Sequence, residues 1–182
     1  MKRITEANLI LKKDWDYTLL STKLENKYEE NVNMHFVMTR VSRGVYAVSG
    51  NLTIAADYAN EKIMISLDIL RRPNNGYEYK PSPLKFPKHD FVTFFNTVYK
   101  QVFMKEFQNC SNFPVFEGEF DAKKWAKKGT FYHFENCDPG REAAYPNHMN
   151  PGVYKLIILI EGDPLVNIKI TLDFSIFSKL DF

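Results

Sequence analysis

Between residues 32 and 70 the apolar side chains keep a period of two, and that period sets the fold class. In 32–41, Met34, Phe36 and Met38 fall on one face and His35, Val37 and Thr39 on the other. In 62–70, Ile63, Ile65, Leu67 and Ile69 oppose Met64, Ser66 and Asp68. Such alternation belongs to half-buried strands. A third run, 45–55, lies between them after the turn signal Ser42-Arg43-Gly44, with Gly50 as a bulge or bend. The short polar breaks predict that the three runs pair as an antiparallel meander.

Further strands are expected over 17–24, 130–137, 153–161 and 166–174, the last two joined as a hairpin by Gly162-Asp163-Pro164. Pro73-Asn74-Asn75-Gly76 is a turn. Residues 77–87 contain Pro81, Pro83 and Pro87, the mark of an edge strand or an extended loop. Pro139-Gly140 and 146–151 read as loops. The sum is a mainly β chain with one helix: a β-sandwich or β-cup of about eight antiparallel strands. No internal repeat, linker or change of composition divides it, so residues 1–182 read as one domain.

The one helix is predicted over about 88–108. Asp90 fits an N-cap, and Phe91, Phe94, Phe95, Val98, Val102 and Phe103 recur at three and four. That stripe suits a helix packed on a sheet, and equally the wall of a pocket. Aromatic residues make up 15% of the chain, with 15 Phe and 10 Tyr, enough rings to fill a core or line a cavity.

Composition and motifs exclude several function classes. A formal net charge of +2 gives no reason to expect a nucleic-acid partner. The longest apolar run, LIILI at 156–160, is too short for a membrane span. There is no G-x-S-x-G, H-E-x-x-H, P-loop or G-x-G-x-x-G, so no catalytic residue, enzymatic activity or cofactor is expected. His133 and Cys137 sit four apart, but on a strand rather than a helix, and no C-x-x-C adds ligands, so no metal is expected. Asp14 and Asp16 read as solvated charges.

The stretch 110–162 concentrates what remains. It holds both cysteines, the basic run Lys123-Lys124-Trp125-Ala126-Lys127-Lys128 and the LIILI strand. An indole among ammonium groups suits a membrane surface or a protein partner; the alternative is a solvated basic loop with Trp125 folded inward. Cys110 and Cys137 read alone as either a bridge or two buried thiols. Asn51-Leu52-Thr53 and Asn109-Cys110-Ser111 match the N-glycosylation pattern.

Several segments together resemble a known family. They are RVSRGVYAVSGNLTI at 40–54, FVTFFNTVYKQVF at 91–103, CSNFP at 110–114, YHFENC at 132–137 and PNHMNPGVYKLIILIEG at 146–162. In this order they resemble insect secreted proteins of the chemosensory type B group, themselves similar to the ganglioside activator protein. The resemblance spans roughly residues 16–175. It implies a β-cup around an apolar cavity, secretion to the extracellular space, and binding without catalysis. It implies a Cys110–Cys137 disulfide, although the ganglioside activator carries more bridges than this chain. It also implies that Met1 heads a mature sequence whose signal peptide has been removed.

A cavity of that kind draws its wall from Phe36, Met38 and Met64 on strands and from Phe91, Phe95 and Phe103 on the helix. Phe113, Phe116, Trp125, Tyr132 and Phe134 complete it. The expected ligand is a lipid or other small hydrophobic molecule. The rival expectation is an extracellular interaction protein, salivary, cuticular or receptor-docking, on the same scaffold with a filled core.

Overall fold

The computed structural model describes residues 13–56, 62–138, 145–163 and 165–179. The N-terminal opening, the Pro139-Gly140 loop and Pro164 lie outside the described residues.

β8 (Gly152–Gly162) and β9 (Val166–Ser178) form the predicted hairpin at the middle of the larger sheet. β1 (Trp15–Asn26) pairs with the outer edge of β9, and β4 (Met64–Arg72) pairs with β8 over its whole length. Two short pieces, β5 (Lys80–Pro81) and β6 (Phe86–Asp90), pair with the far edge of β4, where the prolines cost no central ladder bond. The smaller sheet has the order β2–β3–β7, from β2 (Val32–Ser42), β3 (Val45–Ile54) and β7 (Phe131–Cys137). The described strands number nine, all antiparallel, in two facing sheets with one main helix.

The meander expectation fails at its third strand. β3 pairs with β2 and β7, whereas β4 belongs to the other sheet. Alternation in β4 correctly marks Ile63, Ile65, Leu67 and Ile69 as buried. It says nothing of which strand lies alongside. The apolar run of β8 supplies a nine-residue antiparallel partner, from Met64↔Glu161 to Arg72↔Val153.

β1 carries a bulge between Leu19 and Ser21. The extra residue changes the phase of the alternation. Trp15, Tyr17 and Leu19 face inward before it and Thr22 and Leu24 after it, while Leu20 is exposed.

The helix begins where the cap predicts. The Asp90 carboxylate accepts from the Thr93 N–H at 3.0 Å and from the Thr93 hydroxyl at 2.5 Å. The hydroxyl's bond, first of all, holds the Asp90 carboxyl below its ordinary range. The helix is α-helical over Phe91–Phe94, widens to a π-helix over Phe95–Phe103 and returns to α over Met104–Phe107. A π segment of this length is rare; it buries Phe95, Val98, Tyr99 and Phe103 on one side.

The helix closes one flank of the sandwich. At its start the Phe91 N–H bonds Ile63 O at 2.8 Å. At its end the Cys110–Cys137 disulfide and a bond from Glu135 N–H to Cys110 O at 2.7 Å fasten it to β7. The opposite flank consists of the edge strands β1 and β2, which belong to different sheets and have no ladder between them. At their base Asn26 Nδ2 donates to Val32 O at 2.6 Å.

Candidate functional site: an apolar cavity between the sheets

The two sheets enclose a cavity of about 240 Å³. One side is aliphatic: Ile63 just before β4 and Ile65 on it, Ile158 and Ile160 from β8, Ile170 and Leu172 from β9. Register explains this side, since Ile65↔Ile160 and Ile158↔Ile170 are cross-strand partners with side chains on the same face. Mid-sheet Ile158, Ile160, Ile170 and Leu172 are only half-buried, because opposite them lies space rather than packed atoms.

The other side is a continuous series of rings. Phe95 stacks on Phe120 at 4.3 Å and lies 4.8 Å from Tyr99. Tyr99 meets Phe113 edge-on at 5.4 Å, Phe113 meets Tyr132 at 4.8 Å, and Phe134 meets Phe36 at 5.3 Å. These edge-to-face contacts add to the stabilisation from burial. The disulfide holds this side in place, because its loop carries Phe113, Phe120, Trp125, Tyr132 and Phe134.

The cavity offers a ligand no hydrogen-bonding side chain on its ring side. The Tyr99 hydroxyl donates to Pro114 O at 2.7 Å and the Tyr132 hydroxyl to Trp125 O. Burial pushes the Tyr132 phenol up to about 12 and the Tyr99 phenol further still, with Tyr132 nearby adding to the latter. The cavity reaches the surface at the β1 edge, where Thr22, exposed Lys23 and Leu24 border it across from Met34 and Phe36.

Of the residues singled out in the sequence, Phe36, Phe91, Phe95, Phe103, Phe113, Trp125, Tyr132 and Phe134 line the cavity. Three do not. Met38 pairs with Val48 near the free end of the β2–β3 hairpin and is 38% exposed; Met34, four residues nearer the base, takes a wall position. Met64 alternates with Ile63 and Ile65 and so stands on the opposite face of β4. Phe116 is buried behind the wall, against Tyr99 and Phe120. The aliphatic side was not singled out at all, although the alternation of 62–70 and the LIILI run carried the signal.

Trp125 lines the cavity. It closes the one-turn helix Ala122–Trp125, whose first N–H groups are capped by Asp121. Its ring is half-buried with Lys124 Nζ 4.4 Å from the centroid, and Lys123, Lys124, Lys127 and Lys128 are exposed. Asn51 sits on the outer face of the small sheet, in register between His35 and His133, and Asn109 is exposed beside the bridge. Cys137 is committed to the disulfide and lies on the cavity wall. Among the described residues no three His, Cys, Asp or Glu side chains gather as a metal site, and no helix is long and apolar enough to cross a membrane.

No protein-family model matches the chain, and no curated protein matches its sequence.

Proposed function

We propose that this protein is a secreted, non-enzymatic carrier that holds a lipid or other small hydrophobic ligand between its sheets. The observation that carries the reading is the apolar cavity of about 240 Å³. It exceeds the roughly 150 Å³ that suffices for an apolar pocket to stay dry and take up benzene. Rings on one side, aliphatic side chains on the other and spent hydroxyls favour a ligand that buries hydrocarbon. The Cys110–Cys137 bridge agrees with an oxidising compartment. The resemblance to the chemosensory type B group and the ganglioside activator points the same way, and glycans at Asn51 and Asn109 belong to this reading.

An interaction with an extracellular partner or a membrane has one separate observation in its favour. At the free end of the β2–β3 hairpin, Met38, Val41 and Val45 are exposed alongside Arg40 and Arg43. The carrier reading is tested by native mass spectrometry and lipid extraction of protein purified without detergent, followed by titration with a fluorescent fatty acid. A bound apolar molecule and micromolar or tighter affinity are expected. Ligand-free protein that also fails to bind the probe overturns it.

A further inference from the structure

A second, smaller chamber of about 30 Å³ lies beyond the first on the inner face of the large sheet. Leu156 and Leu172 line both chambers. They are cross-strand partners, so their side chains form a rib across the sheet, with Ile158 and Ile170 on one side of it and Tyr154 and Phe174 on the other. The segment 145–151 roofs the second chamber with Tyr145 and Met149 and is tied to the start of β1. The ties are Trp15 Nε1 to Pro146 O at 2.8 Å and Asp14 N–H to Asn147 O at 3.0 Å.

The two chambers differ in one chemical respect. In the first, both wall tyrosines direct their hydroxyls to backbone carbonyls. In the second, Tyr17 lines the space, and its buried hydroxyl has no hydrogen-bond partner. Buried polar groups are nearly always paired, and an orphan calls for a partner. The chamber exceeds the roughly 10–15 Å³ that one water needs, so it takes one small polar group and little more.

We infer that the second chamber is the polar end of the ligand site: a long alkyl chain passes the Leu156–Leu172 rib and places a terminal oxygen function against the Tyr17 hydroxyl. This rests on the carrier reading, and it narrows the ligand to chains with a hydrogen-bonding group at the buried end. A chain too short to pass the rib leaves that group in hydrocarbon, unpaired. A chain that passes it satisfies both partners.

The test uses pairs of fatty acids with and without a hydroxyl on the last carbon, from 10 to 18 carbons, competing with a fluorescent fatty acid. For short pairs the hydroxy acid binds more weakly than the plain acid. Past a threshold length that penalty disappears. In Tyr17→Phe the penalty returns, about tenfold, while the plain acids keep their affinity. Trp15 lines the second chamber and Trp125 the first, and they are the 2 tryptophans of the chain. In Trp125→Phe, acids ending in bromine therefore quench the remaining Trp15 emission only above the same threshold. A penalty independent of length, or a Tyr17→Phe change without effect or equal for both acids, overturns the inference and leaves the chamber to water. Failure of every acid to bind overturns the carrier reading itself.

Discussion

Removing the disulfide with Cys110→Ala and Cys137→Ala together tests the physical basis of the ring wall. The two cysteines are 27 residues apart in sequence. Cross-linking a loop of that length lowers the entropy of the unfolded chain by about 12 cal/mol/K in the chain-entropy account, which is about 3.6 kcal/mol at 25 °C. For a chain of this size a loss of that order lowers the melting temperature by about 10 °C. The effect is not confined to the unfolded state. The bridge fastens the helix end to β7, and its loop supplies five aromatic wall residues, so ligand affinity falls with stability. Scanning calorimetry of the double variant and of wild type with and without reductant, paired with fluorescent fatty-acid titration, measures both. Equal melting temperatures in all three samples refute the argument, because the unfolded chain then gains nothing from release of the bridge.

Three further outcomes follow from local geometry. A Cβ at Gly50 falls on the His35 carbonyl oxygen and within 2.6 Å of Phe36 Cδ1, so Gly50→Ala costs about 1–3 kcal/mol in urea titration; an unchanged midpoint rejects the close approach. Asp90→Ala removes the helix cap and costs about 1 kcal/mol. Because the folded carboxyl titrates below its ordinary value, its contribution is present above about pH 4 and is lost as pH falls further, so wild type and Asp90→Ala converge in acid. The phenols of Tyr99 and Tyr132 titrate above their ordinary value in the folded state. Their contribution is therefore complete below about pH 10 and is lost as pH rises further, through about 12 for Tyr132 and above that for Tyr99, which denaturation at stepped pH with phenolate absorbance reads directly.

What the sequence disclosed, and what it hid, divides along physical lines. The start of the helix was legible because a cap is a local interaction, Asp90 with Thr93. The β8–β9 hairpin was legible because its turn and both alternations are contiguous. The place of β4 was not, since alternation reports which face is buried and never which strand is adjacent. The π segment was hidden for a related reason: apolar recurrence at three and four marks a face, not a hydrogen-bond register. Met38 was misplaced because its face was right but it lies on an edge strand, where it is exposed while its cross-strand partner Val48 takes the wall position. The second chamber was invisible because the bulge at Leu19–Ser21 brings Tyr17 to the inner face along with Thr22 and Leu24, against simple alternation.

The cavity also has an energetic consequence that ties stability to binding. At about 24 cal/mol per Å³ of unfilled space, 240 Å³ corresponds to roughly 6 kcal/mol of packing forgone relative to a filled core. That is a large share of the 5–15 kcal/mol typical of a folded domain. A side chain that fills the space should therefore stabilise the protein as it removes its function. Ile158 lies mid-sheet on the inner face and is half-buried against the cavity. Ile158→Trp is expected to raise the melting temperature of the ligand-free protein and to abolish fatty-acid binding, whereas bound ligand raises the melting temperature of wild type alone. A variant that keeps full affinity places the ligand elsewhere. One that is less stable than wild type shows that the sheets have already relaxed around the space, and that the two sides cannot accept a ring between them.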